Sequence, residues 1–391
     1  MRLLHSIHSV NPAGGGPIEG VKQLAASNRI HGHDIEILSL DKPDDPWVRD
    51  CPLKVHAVGP GLMGYGYSSR LRPWLREHRK EYDAVVINGL WQYSGFGAWR
   101  ELRRTDTPYF VYSHGMLDPW FKRAYPLKHL KKWLYWPWAE YRILRDARAV
   151  LFTCEEERRM ARKSFWLYRC NEVVVGYGTA GPAGDESVQR RLVADRFPEL
   201  RGKRVFLFLG RIHEKKGCDL LVKAFAKVAN HQSPVTGHQS PEAPLHLVVA
   251  GPCAHPEYLE RIRKLASDLC PPSTVSFPGM VAGDLKWGML RMAEVFILPS
   301  HQENFGIAVA EALACGTPVL ISNKVNIWRE IEADRAGLVD DDDEPGTVRL
   351  LQRWLATPPD QKEEMRRIAQ RSFQTRFEVN QAANSLIAAI S

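Results

Sequence analysis

Several features are missing from this 391-residue chain, and each absence argues against a class of protein. The seven cysteines form no C-x-x-C pair, so a zinc knuckle or a disulfide framework is not expected and reduced thiols are. No window reaches the ~20 uncharged apolar residues that a membrane-spanning helix needs. The first residues have neither a long apolar region nor a small-residue cleavage site, which argues against export. We expect a cytoplasmic protein.

Metal-binding motifs and the common phosphate-binding motifs are missing as well. No histidine, cysteine and carboxylate residues cluster at the spacing of metal ligands. The acidic run at 340–343 precedes Glu344-Pro345-Gly346 and is typical of a solvated turn. The glycine-rich segment from Asn11 to Glu19 is neither G-x-G-x-x-G nor a P-loop. We therefore expect that no metal and no cofactor is required.

The length and the pattern of apolar runs predict an α/β fold with two Rossmann-like domains. A content of 44% apolar and 25% charged residues is that of a globular protein, and the chain is too long for one ordinary core. Short apolar runs alternate with helical stretches, stop at a small-residue linker at 176–184, and then start again. The strands are expected at 2–7, 34–39, 84–88, 109–113 and 149–153, and then at 204–210, 245–251, 274–278, 295–299 and 318–322. Residues 231–244 are expected to form a surface loop.

Two glutamates, Glu303 and Glu311, enclose the most informative segment of the chain. An apolar strand at 295–299 precedes it, and small helix-forming residues follow. Eight residues of helix rise about 12 Å and would leave both carboxylates within about a quarter turn of each other. The first amides of such a helix suit a diphosphate, whereas carboxylates bind hydroxyl groups. A sugar at one end and a ribose at the other fit this pattern; two solvated surface charges are the alternative.

This segment closely resembles the double-glutamate motif of the retaining glycosyltransferases of family 4. Their GT-B fold has two Rossmann-like domains that face each other across a cleft. In that family the first glutamate contacts the donor sugar and the second contacts the ribose, which implies these roles for Glu303 and Glu311. The resemblance also implies donor contacts along the residues that follow the first glutamate, namely Asn304, Phe305, Gly306 and Ile307. In the other main glycosyltransferase fold a D-x-D holds a metal, but the run at 340–343 comes too late in the chain for that role.

The strand at 204–210 leads into a basic loop, Gly210-Arg211-Ile212-His213-Glu214-Lys215-Lys216-Gly217. Two cations after a strand lie where open sheets bind ligands. The arginine and lysine of the family pattern G-R-x4-K-G hold the donor diphosphate and map onto Arg211 and Lys216, where they would stabilise the leaving group in place of a metal. Lys215 is the alternative to Lys216, and a solvated turn is the alternative to a site.

Further donor contacts follow from the resemblance. Glycines after the first strand permit close backbone approach to a phosphate or a sugar, and a plain flexible turn is the alternative. The family has a glycine-rich loop at this place, touching donor and acceptor, which implies contacts at Gly15 and Gly16. In the second domain it implies that Gly251 faces the cleft and that the nucleotide base lies near Met280 and Val281, mainly against the backbone.

The segment after the strand at 109–113 resembles the H-G segment of family 4, in which the histidine faces the transferred sugar. This implies a catalytic role for His114, together with Arg211, Lys216 and Glu303. Asp118 either fixes the loop or meets an acceptor hydroxyl. Trp91 either stacks on an acceptor sugar or packs in the core.

Basic and aromatic residues interleave between Trp120 and Arg148. This pattern suits an anionic membrane surface, and nucleic acid ranks well below it because no reading helix or RNA-binding signature is present. A core helix with a wet basic face is the other alternative. The residues expected at the membrane are Lys128, Lys131, Lys132, Trp133 and Trp136.

We therefore expect a retaining glycosyltransferase that moves a hexose from a UDP- or GDP-linked sugar to a glycan hydroxyl. A lipid-linked acceptor at the inner face of the cell membrane, in exopolysaccharide or lipopolysaccharide biosynthesis, is the hypothesis. Residues 1–180 would bind the acceptor, with 373–391 packing back onto them, and 181–372 would bind the donor. A GT-B epimerase and a non-catalytic nucleotide-sugar-binding partner of a membrane assembly are the rival interpretations.

Overall fold

The computed structural model describes residues 1–230 and 243–391, which form two compact units. The first unit contains 1–180 together with 377–391, and the second contains 181–376. The C-terminal segment of the first unit thus begins at Phe377, four residues later than the sequence predicts. Most of the surface loop expected at 231–244 lies outside the described residues.

The first unit is built on a parallel sheet of seven strands in the order β3-β2-β1-β4-β5-β6-β7. The strands are β1 (Arg2–Ile7), β2 (Asp34–Ser39), β3 (Val55–Ala57), β4 (Ala84–Asn88), β5 (Tyr109–Tyr112), β6 (Ala149–Phe152) and β7 (Glu172–Val174). The helices are α1 (Gly16–Ile30), α2 (Pro46–Arg49), α3 (Leu71–His78), α4 (Tyr93–Leu102), α5 (Trp120–Ala124), α6 (Pro126–Tyr135), α7 (Glu140–Asp146) and α8 (Glu155–Ala161).

The second unit is built on a parallel sheet of six strands in the order β10-β9-β8-β11-β12-β13. The strands are β8 (Arg204–Leu209), β9 (Leu245–Ala250), β10 (Val275–Gly279), β11 (Val295–Leu298), β12 (Val319–Ser322) and β13 (Gly337–Asp340). The helices are α9 (Glu186–Arg196), α10 (Cys218–Asn230), α11 (Pro256–Leu269), α12 (Gly283–Met292), α13 (Ile307–Ala314), α14 (Trp328–Asp334), α15 (Glu344–Ala356) and α16 (Pro359–Ser372). The final helix, α17 (Val379–Ile390), belongs to the first unit.

The central strands are apolar along their whole length because both faces of each sheet are covered. In the first unit Leu4 and Val85 face one core, and Leu3 and Val86 face the other. Helix α17 adds its apolar side to the second of these cores, where it packs against α1. In the described part of the chain, no helix combines the length and the apolar composition needed to cross a membrane.

Three strands, β3, β7 and β13, were not predicted. They lie at the edges of the two sheets and are only three or four residues long. Most of their residues are half-buried, so they lack the continuous apolar run by which the central strands were recognised.

Both sheets reverse their strand order once, between β1 and β4 in the first unit and between β8 and β11 in the second. Open α/β sheets bind ligands outside the carboxyl ends of the strands at such a switch point. The predicted site residues follow these strands: Gly15 comes after β1, Trp91 after β4, Arg211 after β8 and Glu303 after β11. The topology therefore gives each unit one candidate ligand-binding edge.

Candidate active site

An ion pair between Lys216 and Glu303 joins the two loops at the switch point of the second unit. Lys216 ends a single helical turn after β8, and Glu303 lies in the loop after β11. Gly217 permits the close approach of these loops, because its φ is 67° and a Cβ there would lie 2.2 Å from the carbonyl oxygen of Pro299. The loops that carry the two predicted donor-binding residues are thus held together.

The local electrostatics distinguish Lys216 from its neighbours. Burial, together with the cations of Lys215 and Arg211, lowers the pKa of Lys216, while the contact with the Glu303 carboxylate favours its charged form. Lys215 has a different part in the loop, since its carbonyl oxygen accepts the amide of His301 at 2.9 Å. Lys216 is therefore the lysine beside Glu303, and its role at the donor diphosphate stays a prediction.

Arg211 lies directly beyond Gly210 at the end of β8, and its side chain is exposed. It forms no ion pair with any carboxylate in the described part of the chain. Its guanidinium lowers the pKa of Lys216, which indicates that the two cations act on the same region. Two neighbouring cations with one carboxylate partner leave a local excess of positive charge that favours an anion.

Backbone hydrogen bonds fix the position of Glu303. Its amide donates to the carbonyl of Lys324 at 2.9 Å, and its carbonyl accepts the amide of Asn326 at 3.0 Å. Gly306 then turns the chain into α13 with φ of 82°, and the helix begins at Ile307. The expected quarter-turn relationship between Glu303 and Glu311 assumed that the whole segment between them is helical. This assumption is wrong, because the first half of the segment is not helical.

The start of α13 presents backbone donors beside this ion pair. The amide of Val309 is the first that reaches back to Gly306, at 2.8 Å. The amides of Ile307 and Ala308 precede it in the first turn, where a helix offers no acceptor of its own. Because the helix dipole is positive at this end, the site is suited to a phosphate group.

Glu311 lies inside α13 and is 8% exposed. Its Oε1 pairs with Nζ of Lys286 from α12 at 2.6 Å, and the same ammonium lies 4.1 Å from the ring centroid of Trp287. Lys286 was missed from the sequence because one lysine in a helix carries no distinguishing pattern. The second predicted carboxylate is thus also held by a cation.

The other donor-binding predictions in the second unit fall at the ends of β9 and β10. Gly251 has φ of 141°, and a Cβ there would lie 1.9 Å from the carbonyl oxygen of Gly210. Its amide donates to Gly279 at 2.8 Å, so it joins the ends of three neighbouring strands. Of the two residues that follow Gly279, Met280 is 72% exposed and Val281 is buried.

The glycine-rich loop of the first unit leads directly into a helix. Gly15 has φ of 81°, and Gly16 is the first residue of α1. The side chain of Asn11 stabilises the turn before them by accepting the amide of Ala13 at 2.9 Å. A Cβ at Gly15 would meet no atom within 4 Å, so its glycine is required by the backbone angle and not by crowding.

His114 follows β5 and is held in a left-handed conformation with φ of 47°. Its ring stacks on Tyr112 at 5.0 Å, and its Nε2 lies 3.1 Å from Oδ1 of Asn88. The amide nitrogen of Asn88 donates to the carbonyl of Val86, so its oxygen is the acceptor and His114 Nε2 carries the proton. Burial lowers the pKa of His114 to about 4. The ring is therefore neutral at pH 7 and its Nδ1 is a hydrogen-bond acceptor.

Glu157 is a residue of this site that the sequence interpretation missed. Its Oε1 accepts the hydroxyl of Ser113 and the amide of Gly115, both at 2.6 Å. Its Oε2 accepts the amide of Thr153 at 2.7 Å and the hydroxyl of the same residue at 2.6 Å. One buried carboxylate thus fixes both residues that flank His114 and ties them to the end of β6.

For Trp91 and Asp118 the structure shows a contact of the structural kind, and the contact of either residue with an acceptor stays a prediction. Trp91 packs against the rings of Trp136 and Phe165, with centroids 6.0 and 5.3 Å away. Its backbone has φ of 70°, and its amide donates to Glu140 at 2.8 Å. Asp118 accepts the amide of Trp120 at 2.8 Å and so fixes the start of α5. Core packing and loop fixation are the contacts observed.

One of the five predicted membrane residues, Trp136, is wrong, because it does not lie at the surface. Trp136 is fully buried, and its indole donates to the carbonyl of Trp166 at 2.8 Å. Lys132 is half-buried, with its ammonium 4.6 Å from the ring centroid of Trp91. Lys128, Lys131 and Trp133 are exposed as predicted.

The acidic run at 340–343 is not a freely solvated turn. Asp340 ends β13 and pairs with Arg349, and Asp342 lies 2.9 Å from the Nδ1 of His301. Asp343 caps α15 by accepting the amide of Gly346 at 2.7 Å. Within the described residues no group of three or more histidine, cysteine or carboxylate side chains is arranged to hold a metal ion.

Two family descriptions match the two units of the chain. Residues 15–178 match the glycosyl transferase 4-like domain, and residues 193–373 match glycosyl transferases group 1. The chain belongs to the group 1 glycosyltransferases. It is of the GT4 type and has the two Rossmann-like domains of the GT-B fold.

Curated relatives match this chain over different lengths. Mannosylfructose-phosphate synthase of Agrobacterium fabrum is 33% identical over 155 residues, which are 39% of this chain and 32% of that protein. The chain thus spans about a third of the length of that relative. D-rhamnosyltransferase WbpZ of Pseudomonas aeruginosa is 26% identical over 397 residues, covering 96% of this chain and 92% of the relative.

Solved structures support the same fold over the whole chain. HepE of Anabaena in complex with UDP has a TM-score of 0.76 at 15% identity and covers 99% of each chain. WaaG, a glycosyltransferase involved in lipopolysaccharide biosynthesis, has a TM-score of 0.63 at 16% identity and covers 100% of this chain and 98% of that one.

Proposed function

We propose that this protein is a retaining glycosyltransferase that moves a hexose from a nucleotide diphosphate sugar to a hydroxyl of a glycan acceptor. The observation that carries the proposal is the Lys216–Glu303 ion pair between the ends of β8 and β11, beside the exposed Arg211 and the start of α13. This arrangement puts groups that bind phosphate next to a carboxylate that binds hydroxyl groups.

The leaving group of the proposed transfer is a nucleoside diphosphate. Departure of the diphosphate from the anomeric carbon develops negative charge on its oxygens. Arg211, Lys216 and the amides of Ile307 and Ala308 would stabilise that charge without a metal, so we propose that none is required. A bound diphosphate would draw the ammonium of Lys216 and leave oxygens of Glu303 to accept hydroxyl groups of the sugar. Glu311 would bind the ribose hydroxyls in the same manner, with Lys286 orienting its carboxylate.

The proposed transfer is a front-face displacement. The acceptor oxygen bonds to the anomeric carbon as the bond from that carbon to the phosphate oxygen breaks, and a donor phosphate oxygen takes the proton of the acceptor hydroxyl. His114 does not supply a proton, because its neutral ring uses Nε2–H for Asn88. Its Nδ1 would instead accept a hydrogen bond from a hydroxyl of the transferred sugar and orient it.

We propose that the donor sugar is linked to UDP or GDP. HepE, which has a similar fold, was solved in complex with UDP, and this supports UDP. For the acceptor we propose a lipid-linked glycan, in exopolysaccharide or lipopolysaccharide biosynthesis, met at an anionic membrane surface. The support for this step is the exposed face of α6 with its flanking residues, which we call the docking face. It combines cations with large apolar side chains: Tyr125, Leu127, Lys128, Leu130, Lys131, Trp133, Leu134 and Trp138.

The first test of this function is a donor screen with EDTA present throughout. Native protein is heated with UDP-, GDP- and ADP-sugars beside Glu303→Gln and a control, Glu199→Gln, which changes an exposed glutamate of the same unit. A cognate donor should raise the melting temperature of the native and control proteins, since ligand binding stabilises the folded state. Slow sugar release by these two proteins, lost in Glu303→Gln, would support the proposal. Stabilisation without release, even with lipid-linked glycans added, would support a non-catalytic binding partner, and release that needs a metal would contradict the metal-free mechanism.

A further inference from the structure

A groove of about 650 Å³ opens in the first unit between α6 and the segment that follows α8. Its lining divides into two chemical classes. Cationic and polar side chains come from Lys122, His129, Arg162, Lys163 and Ser164, and apolar ones come from Pro126, Leu130, Trp133, Phe165 and Trp166. A cavity whose lining combines cations with large apolar side chains is suited to an amphiphile.

Aromatic rings pack against one another in the apolar part of the lining. Phe165 lies between His129, at 4.8 Å between centroids, and the buried Trp136, at 4.4 Å. Trp133 and Trp166 lie 5.7 Å apart, and the carbonyl of Trp166 accepts the Trp136 indole. The groove is therefore a formed surface whose two walls are tied to each other through Trp136.

Two of the lining cations have no ion-pair partner among the described residues. Lys122 and Lys163 make no ion pair with any carboxylate in the described part of the chain, whereas Arg162 is paired with Glu172. No aspartate or glutamate occurs from Pro119 to Ala139. Burial and the charges of Lys122 and Lys132 lower the pKa of His129, as a region of positive potential would.

We infer that this groove binds the phosphate group of a single lipid, with the phosphate between Lys122 and Lys163 and the first methylenes of the chain against Phe165 and Trp133. The inference rests on the proposed function, in which the acceptor is met at an anionic membrane surface. It names one binding site for one lipid, which attraction of a cationic face to a membrane does not require. Each methylene taken from water adds favourable free energy that a free phosphate ion cannot gain. A lipid phosphate is therefore the occupant that uses both the cationic and the apolar lining residues.

The groove also adjoins the loop that follows β4. The ring of Phe165 forms its apolar side and also lies 5.3 Å from the ring of Trp91. A lipid phosphate held there would bring the glycan that it carries to the carboxyl edge of the first sheet. That edge is where the strand order of this unit reverses.

The experiment measures the intrinsic fluorescence of the full chain while a short-chain phosphatidic acid is added below its micelle concentration. Lys122→Ser/Lys163→Ser removes the two groove cations. Lys128→Ser/Lys131→Ser removes two cations from the same face that do not line the groove. We expect the first variant to raise the Kd at least tenfold and the second to change it less than twofold. Inorganic phosphate should compete only at concentrations at least a hundredfold higher.

Three results would overturn the inference: no saturable binding to native protein, equal weakening by both double variants, or inorganic phosphate binding as tightly as the lipid phosphate. The first two results would mean that the protein attracts lipids only through its overall positive charge. The third result would mean that the groove is an anion site without preference for a lipid. Donor-sugar hydrolysis measured on the same variants separates this inference from the proposed function. Hydrolysis without saturable lipid binding refutes the groove alone, and saturable, groove-dependent binding without activity on any donor refutes the transferase alone.

Discussion

Glu303 pairs with Lys216 across the gap between two strand ends that are far apart in sequence, so the two predicted donor-binding groups neutralise each other. Their side chains are 20% and 16% exposed, which makes this pair more shielded from water than a typical surface pair. The pair can therefore hold the two loops in place until a diphosphate competes for the cation. Stability and catalysis should respond differently to its removal.

A double-mutant cycle should reveal a favourable coupling between these two residues. Lys216→Met and Glu303→Gln should each destabilise the second unit, because each leaves its partner shielded without a countercharge, and the double variant should lose less than the sum. We expect a coupling of about 1–3 kcal/mol in urea denaturation. The more exposed pair Lys227–Glu344 serves as the control and should couple by less than about 1 kcal/mol. A zero coupling for Lys216 and Glu303 would show that the pair does not hold the loops.

His114 should titrate near pH 4 and act as a neutral acceptor. Its pKa is lowered by burial, so nitrogen NMR of the labelled ring at pH 7 should show a neutral imidazole protonated at Nε2. His114→Ala should lower the transfer rate by about a hundredfold, since a preorganised hydrogen bond is lost, and should leave donor Kd within a few-fold. A titration midpoint between pH 6 and 7, or a rate that follows it, would contradict the assigned role.

Glu140 should make the first unit less stable as pH rises. Burial raises its pKa from an ordinary 4.5 to about 8, and its Oε2 has no hydrogen-bond partner among the described residues. Between these values the folded protein holds a proton that the unfolded chain has released, so the free energy of unfolding falls from about pH 5 to pH 8. Glu140→Gln should flatten this part of the profile and be more stable than native protein at pH 9. The exposed control Glu77→Gln should follow the native profile, and an unchanged slope in Glu140→Gln would contradict the assignment.

Trp133 and Trp136 should behave differently although they are three residues apart. Trp136→Ala should destabilise the first unit by about 3–5 kcal/mol because it empties a fully buried site. Trp133→Ala should cost less than about 1 kcal/mol and should weaken binding to vesicles that contain phosphatidylglycerol, measured by sedimentation. If vesicle binding instead survived in Trp133→Ala at full strength, the docking face would not include this residue.

The sequence predicts the central strands and the positions of the loops that follow them well, for a physical reason. Strands buried on both faces must be apolar throughout, and a glycine such as Gly217 or Gly306 marks a backbone that must turn sharply. These are local properties. The family resemblance implies only that Lys216 and Glu303 both lie near the donor. The ion pair between them is a contact that the structure adds.

What the sequence did not predict depends on contacts between distant segments. Trp136 is buried because Phe165 and Trp166 cover it, and nothing within α6 distinguishes it from Trp133. Glu157 is an ordinary glutamate in the first turn of α8 until the fold brings Ser113 and Gly115 to its oxygens. Composition and periodicity do not predict such contacts between distant segments.

The most direct test of the central claim measures nucleoside diphosphate release from the cognate donor, with EDTA, in native protein, Lys216→Met and Lys215→Met. The two variants remove equal charge from adjacent positions, and Lys216 is the lysine that pairs with Glu303. We predict that Lys216→Met loses at least about a hundredfold in rate and that Lys215→Met stays within a few-fold of native protein, since the lost cation stabilises the leaving group. Native activity in Lys216→Met would contradict the account, as would an equal loss in both variants.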